Sequence, residues 1–248
     1  MCRHTAWLGR PRTLSELVVD PPYGLLRQSW QPRRQQHGTV NADGFGVGWY
    51  SAERPEPARY RRSGPIWQDR SFHSLAAHVR SGCVLAAVRS ATAGTPCGEE
   101  ACAPFLVGGN VLLSHNGALP VDALAPLVSS AELARIGSTV DSAFLAALVA
   151  ARLDQGLPAA LAGAVSAAAQ VAPGARLTLL ATDGRTVCAT AWGDTLCWRV
   201  VDGGAVVASE PSDDEPGWVE VAEHSLLTLS GDGCTVTALR GSHVGPRE

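Results

Sequence analysis

From residue 176 onward the chain is a series of short apolar runs punctuated by glycine turns, and that rhythm leaves few folds open. Residues 176–182, 186–192, 195–201, 204–209, 225–230 and 234–239 read as strands, with Asp183-Gly184, Gly203-Gly204 and Gly231-Asp232-Gly233 as turns. Turns this tight join antiparallel neighbours. Ahead of them, 121–136, 142–153 and 158–171 read as helices, the second opening on the cap-type residues Thr139-Val140-Asp141-Ser142. Helices in succession, then strands in succession, imply an α+β fold in which a helical layer covers a sheet.

The first half adds a second set of strands. Residues 2–8 are predicted as a strand ending in a turn at Gly9-Arg10-Pro11, and 57–62, 83–88 and 110–114 as further strands. Residues 14–26 read as a short helical or irregular stretch broken at Pro21-Pro22, and 31–37 as a polar surface loop. Helical spacing appears at Phe72, Leu75, Ala76 and Val79. In the stretch 41–50, Gly44, Gly46 and Gly48 alternate with apolar residues, which flattens one strand face. That face is expected to admit another backbone or a ligand and to line a cavity above Cys2. No linker, repeat or low-complexity tract interrupts the chain, so residues 1–248 are expected to form a single domain of two largely antiparallel sheets with helices outside.

With 46% hydrophobic residues the chain has ample material for a core, and its formal charge of -3 offers no positive excess for a nucleic-acid backbone. No run approaches the roughly 18 apolar residues of a membrane span, and Arg3, Arg10 and Arg12 interrupt any signal-peptide core. A cytoplasmic protein is expected, with neither nucleic acid nor membrane as partner; oligomeric state is left open. Seven cysteines, an odd number spread along the chain, suit free thiols better than a disulfide framework. Cys97 and Cys102 lack a second ligand pair at metal spacing, so no metal is expected there.

The chemistry centres on Cys2. Loss of Met1 would place a thiol and an α-amino group on one residue, and an α-amine with a pKa of roughly 7.7–8.0 can take the thiol proton near neutrality. Arg89 follows the apolar run 83–88, placed to bind a carboxylate bidentately or to serve in a structural ion pair. Asn116-Gly117 follows another strand. The dipeptide suits a hairpin turn, or an oxyanion hole built from the Asn116 amide and the Gly117 backbone N–H. Asp141 has a plain role as a helix cap, and His115 is read as structural because the α-amine makes a second base unnecessary.

The Met1-Cys2 start, Val88-Arg89-Ser90-Ala91-Thr92, His115-Asn116-Gly117 and Val140-Asp141-Ser142 together resemble the class II glutamine amidotransferase family over nearly the whole chain. The resemblance implies the N-terminal nucleophile hydrolase fold, an αββα sandwich, and a Cys2 nucleophile that attacks a γ-glutamyl amide. It further implies an oxyanion hole at Asn116 and Gly117, a carboxylate clamp at Arg89 helped by Thr92, and an α-ammonium site at Asp141. No cofactor is implied.

Two departures narrow the resemblance. Ala93 stands where synthase-coupled members commonly carry histidine, and the chain ends at 248 without a synthase domain. Met1-Cys2-Arg3-His4, the 41–50 stretch, Pro65-Ile66-Trp67, Trp192-Gly193-Asp194-Thr195-Leu196, Ser209-Glu210-Pro211, Asp213-Asp214 and Gly217-Trp218 are similar to the stand-alone branch in ergothioneine biosynthesis. That branch hydrolyses γ-glutamyl-hercynylcysteine sulfoxide. The alternatives are a glutathione-degrading or glutamine-hydrolysing amidotransferase-like subunit, and a catalytically silent γ-glutamyl-binding subunit. A trimethylammonium leaving group would make Trp30, Trp49, Trp67, Trp192, Trp198 and Trp218 candidates for cation–π contact.

Overall fold

The computed structural model describes residues 2–92 and 94–239; Met1 and Ala93 lie outside the described residues. Its strands are β1 (Arg3–Thr13), β2 (Phe45–Ser51), β3 (Arg54–Arg62), β4 (Arg80–Val88), β5 (Phe105–Val107), β6 (Val111–Ala118), β7 (Arg176–Thr182), β8 (Val187–Ala191), β9 (Cys197–Val201), β10 (Gly204–Ala208), β11 (Val219–Glu220), β12 (Ser225–Ser230) and β13 (Gly233–Ala238). They form a seven-stranded sheet in the order β11-β9-β10-β1-β4-β2-β3 and a six-stranded sheet in the order β13-β12-β8-β7-β6-β5. Every strand pairing is antiparallel.

Strand periodicity sorts the side chains into layers. On β1 and β6, Ala6 and Leu112 point between the sheets, where Leu85, Leu180 and Leu227 meet them. Their neighbours Trp7 and Leu113 point outward. Trp7, Phe45 and Val84 pack under Leu14, Leu25 and Phe72 on one side. On the other side Leu113, Leu177 and Leu179 pack under the helices Asp141–Ala150 and Leu157–Val171 through Leu145, Leu148, Leu161 and Val165. The result is an αββα sandwich, as expected. No single described helix is long and apolar enough to cross a membrane; only Ser130–Ile136 with Asp141–Ala150 passes on length and composition, and that pair is bent by 111°.

Several local expectations are corrected. Gly9-Arg10-Pro11 is not a turn: β1 runs through it, with a register shift between Leu8 and Arg12 opposite β4. A Cβ on Gly9 would sit 2.2 Å from the Gly203 carbonyl oxygen, so glycine here permits the close approach of β10, and the irregularity accommodates a proline that has no N–H to donate. The expected helix 121–136 is three pieces. Val121–Leu124 gives way to a tight turn at Ala125–Leu127 containing Pro126, and Ser129 then caps Ser130–Ile136 by accepting from Glu132 N–H at 3.2 Å. The β9–β10 turn is Asp202-Gly203, with Gly203 at φ 82°. Strands β5 and β11 are too short to carry a readable period.

The glycine face of β2 is covered by protein. A Cβ on Gly44 would lie 2.3 Å from Cys102 Sγ, on Gly46 2.2 Å from Ala103 O, and on Gly48 2.6 Å from Leu112 Cδ1. Close backbone approach was the correct half of that expectation, and the apolar Phe45, not the glycines, reaches the cavity beside Cys2.

Candidate active site

Strand register creates the site. Arg3 on β1 pairs with Val88 on β4, so the residues just outside that pair, Cys2 and Arg89, emerge side by side at one end of the sheet. On the other flank of β4, Phe45 pairs with Val88, and beyond it Arg89 N–H donates to Gly44 O at 2.8 Å. The second sheet contributes β6, in which Asn116 pairs with Thr178 and Gly117 with Leu177 of β7. Asn116-Gly117 is therefore strand and not turn. Asp141 opens the helix that packs on this sheet.

One narrow cleft is lined by Cys2, Arg89, Thr92, Gly117 and Asp141, with Phe45, Thr95, Phe105 and His115 among its walls. Asn116 does not line it. It is fully buried between two residues that do, and neither its amide nitrogen nor its amide oxygen has a hydrogen-bond partner among the described residues. A buried amide left open costs about 1–3 kcal/mol, an expense typical of a group kept for a ligand or water.

Cys2 is half-buried, and burial pushes its thiol above the ordinary range. The Ser90 backbone and Arg89 pull the other way, while Asp141 adds to the rise. Arg89 and Asp141 thus share the cleft with the thiol and act on it in opposite directions.

Arg89 is only 8% exposed. Its Nη2 donates to Pro96 O at 2.8 Å and Thr95 Oγ1 at 3.1 Å, and its Nη1 to Asp43 O at 3.2 Å. Every acceptor is neutral, and among the described residues no carboxylate pairs with it. Asp141 likewise has no cation: its Oδ1 accepts from Ser142 N–H at 2.8 Å and its Oδ2 from Leu119 N–H at 3.4 Å. It is the first helical residue, and the cap position itself falls to Val140, which makes no side-chain bond.

Thr92 is exposed at the rim, and its carbonyl accepts from both the N–H and the hydroxyl of Thr95. Contact with Arg89 thus belongs to Thr95, which sequence reasoning missed. His115 has both ring nitrogens engaged. Nε2 faces the Arg176 carbonyl at 2.8 Å, so it must donate, and Nδ1 lies 3.0 Å from Ser142 Oγ. The six candidate tryptophans are absent from the cleft walls. Trp30 and Trp67 stack edge-on at 5.8 Å, Trp192 lies against His224, and Trp218 carries the Arg199 guanidinium over its ring.

The motif Ser209-Glu210 acquires a function that its sequence did not reveal. Ser209 Oγ accepts from His4 N–H at 3.0 Å, Ser209 N–H donates to His4 O at 2.9 Å, and Arg3 Nη2 donates to Ser209 O and to Glu210 Oε2. Glu210 also accepts the backbone N–H groups of Arg33 and Arg34. The residues that follow Cys2 are thereby fixed from the β10 flank of β1, opposite the β4 flank that carries Arg89. A charge at the end of the apolar run 204–208 was the available signal.

An αββα sandwich with a cysteine preceding its first strand, at the mouth of a cleft, defines the N-terminal nucleophile hydrolase class. The sequence profile for "Glutamine amidotransferases class-II" matches residues 16–201, and the chain belongs to that family. It is 48% identical over 96% of its length to the whole of the γ-glutamyl-hercynylcysteine sulfoxide hydrolase of Mycolicibacterium smegmatis. Among solved structures, a glutamine aminotransferase class-II domain protein from Silicibacter pomeroyi superposes with a TM-score of 0.71 at 25% identity, covering 96% of this chain and 100% of that one. Glutamine phosphoribosylpyrophosphate amidotransferase from B. subtilis shares the fold with a TM-score of 0.67 at 19% identity, over 97% of this chain and 49% of that one.

Proposed function

We propose that this chain, read as one domain, is a γ-glutamyl amide hydrolase that works through a Cys2 thioester. Its substrate on this reading is γ-glutamyl-hercynylcysteine sulfoxide, cleaved to glutamate and hercynylcysteine sulfoxide in ergothioneine biosynthesis. The observation that carries the reading is Arg89: a buried cation that has no anionic partner among the described residues and shares a cleft with Cys2 and with Asp141, for which the described residues supply no cation. An unmatched buried charge is costly until a ligand supplies its opposite. A glutamyl head group supplies both at once, its α-carboxylate to Arg89 and its α-ammonium to Asp141. The likeness to the mycolicibacterial hydrolase supports the particular leaving group.

Once Met1 is removed, the Cys2 α-amine takes the thiol proton and the sulfur attacks the γ-carbonyl carbon. The Asn116 amide and Gly117 N–H receive the oxyanion, and donors of this kind are worth roughly 10²–10³ in rate. As the C–N bond breaks, the ammonium of Cys2 returns the proton to the departing nitrogen. Water then attacks the thioester carbonyl, giving glutamate and restoring the thiol. Seven unpaired thiols suit a reducing compartment, which supports a cytoplasmic reading.

The test compares turnover of the hercynyl substrate, glutathione and glutamine by enzyme whose mature N-terminus has been checked by mass spectrometry. Preference for the first is expected; preference for glutathione or glutamine would overturn the assignment. A γ-glutamyl anilide that releases no aniline and leaves no acyl mass on Cys2 would instead identify a silent binding subunit.

A further inference from the structure

The glycines of the 41–50 stretch are explained by close packing, but its acid is not. Asp43 is exposed at the entry to β2, where nothing in the packing calls for a carboxylate. It nonetheless grips one segment at three points. Its N–H donates to Arg89 O at 2.9 Å, its own carbonyl accepts from Arg89 Nη1 at 3.2 Å, and its Oδ2 accepts from Ala91 N–H at 2.8 Å.

The segment so held has just left the sheet. β4 ends at Val88, so Ala91 has no ladder partner, and its N–H is tied to the fold by the Asp43 carboxylate. Arg89 and Ala91 flank Ser90, which lines the cleft together with Cys2. Anchoring the two outer residues therefore fixes the backbone from which the Arg89 guanidinium extends. Thr95 and Pro96 restrain Nη2 from the opposite side. With Asp43 on Nη1, the guanidinium plane is held at both ends, and its Nε and the second Nη1 hydrogen are left for a substrate carboxylate.

We propose that Asp43 is a positioning residue for carboxylate recognition: its side chain pins Ala91 and thereby holds Arg89 in the orientation that receives the substrate α-carboxylate. This rests on the reading of Arg89 given above, and the experiment separates the two. KM and kcat are measured on a γ-glutamyl amide for Asp43→Ala, Asp43→Asn, Arg89→Ala and the double variant Asp43→Ala/Arg89→Ala, with Tm for each.

Asp43→Ala is expected to raise KM about tenfold or more, the scale of a lost charge-assisted hydrogen bond, with a smaller change in kcat. Asp43→Asn, which keeps an oxygen for Ala91 N–H, should return KM to within about threefold of the parent. In the Arg89→Ala background, Asp43→Ala should add nothing further, because the group it positions is gone. An unchanged KM in Asp43→Ala, or an equal rise with and without Arg89, overturns the inference while leaving the carboxylate site intact. An unchanged KM in Arg89→Ala overturns the carboxylate site and the inference with it. A general loss of fold would lower Tm and would raise KM regardless of the residue at 89.

Discussion

Arg3 Nη2 and Glu210 Oε2 meet at 2.8 Å with both side chains completely buried, one residue beyond the proposed nucleophile and at the end of β10. Burial alone would depress the Arg3 guanidinium, and Glu210 works against that. Removing one partner leaves the other charge stranded. Arg3→Ala or Glu210→Ala should therefore destabilise the fold by about 3–5 kcal/mol, read from urea unfolding, and a loss under about 1 kcal/mol would contradict the burial.

His4 supplies a pH signature. Its imidazole is fully enclosed, and burial, then Arg3 and His115, push it down to about 3. The folded protein keeps His4 neutral while the unfolded chain protonates it near 6.5, so the unfolded state binds more protons across that window. Stability from this group is complete above pH 6.5 and is lost as pH falls toward 3. Urea unfolding between pH 7 and 5, above most carboxylate titrations, should show a decline that His4→Gln flattens; an unchanged slope would assign the decline elsewhere.

His115 lines the cleft, yet both nitrogens are spent on Arg176 and Ser142. A general base typically contributes about 10²–10⁴ in rate, whereas a brace between β6 and the neighbouring helix contributes mostly stability. His115→Gln is expected to keep kcat within about tenfold, with an unaltered pH profile. Loss of the acidic limb of that profile would make the imidazole the base.

Gly46 tests the packed glycine face. A Cβ there would fall 2.2 Å from Ala103 O and 2.9 Å from Arg61 Cγ, whereas Gly64 has open space around it. Gly46→Ala should cost about 1–3 kcal/mol through overpacking, measured by thermal unfolding, and Gly64→Ala should cost much less. Equal effects would remove the steric explanation.

Much of this molecule is legible in one dimension because strand patterning and turn chemistry are local. The short apolar runs 176–182, 225–230 and 83–88 mark β7, β12 and β4, and Cys2, Arg89, Asn116, Gly117 and Asp141 stand out by residue type and by their place at element ends. What the pattern does not contain is the register that brings those ends together. Arg3 pairing with Val88 sets Cys2 beside Arg89, and only two sheets packed face to face bring β6 and Asp141 to the same cleft. For the same reason Asp43, Thr95 and Glu210 carry no local mark. Each acts through hydrogen bonds to backbone or side chains that only folding brings within reach, and only the tertiary structure decides which groups those are.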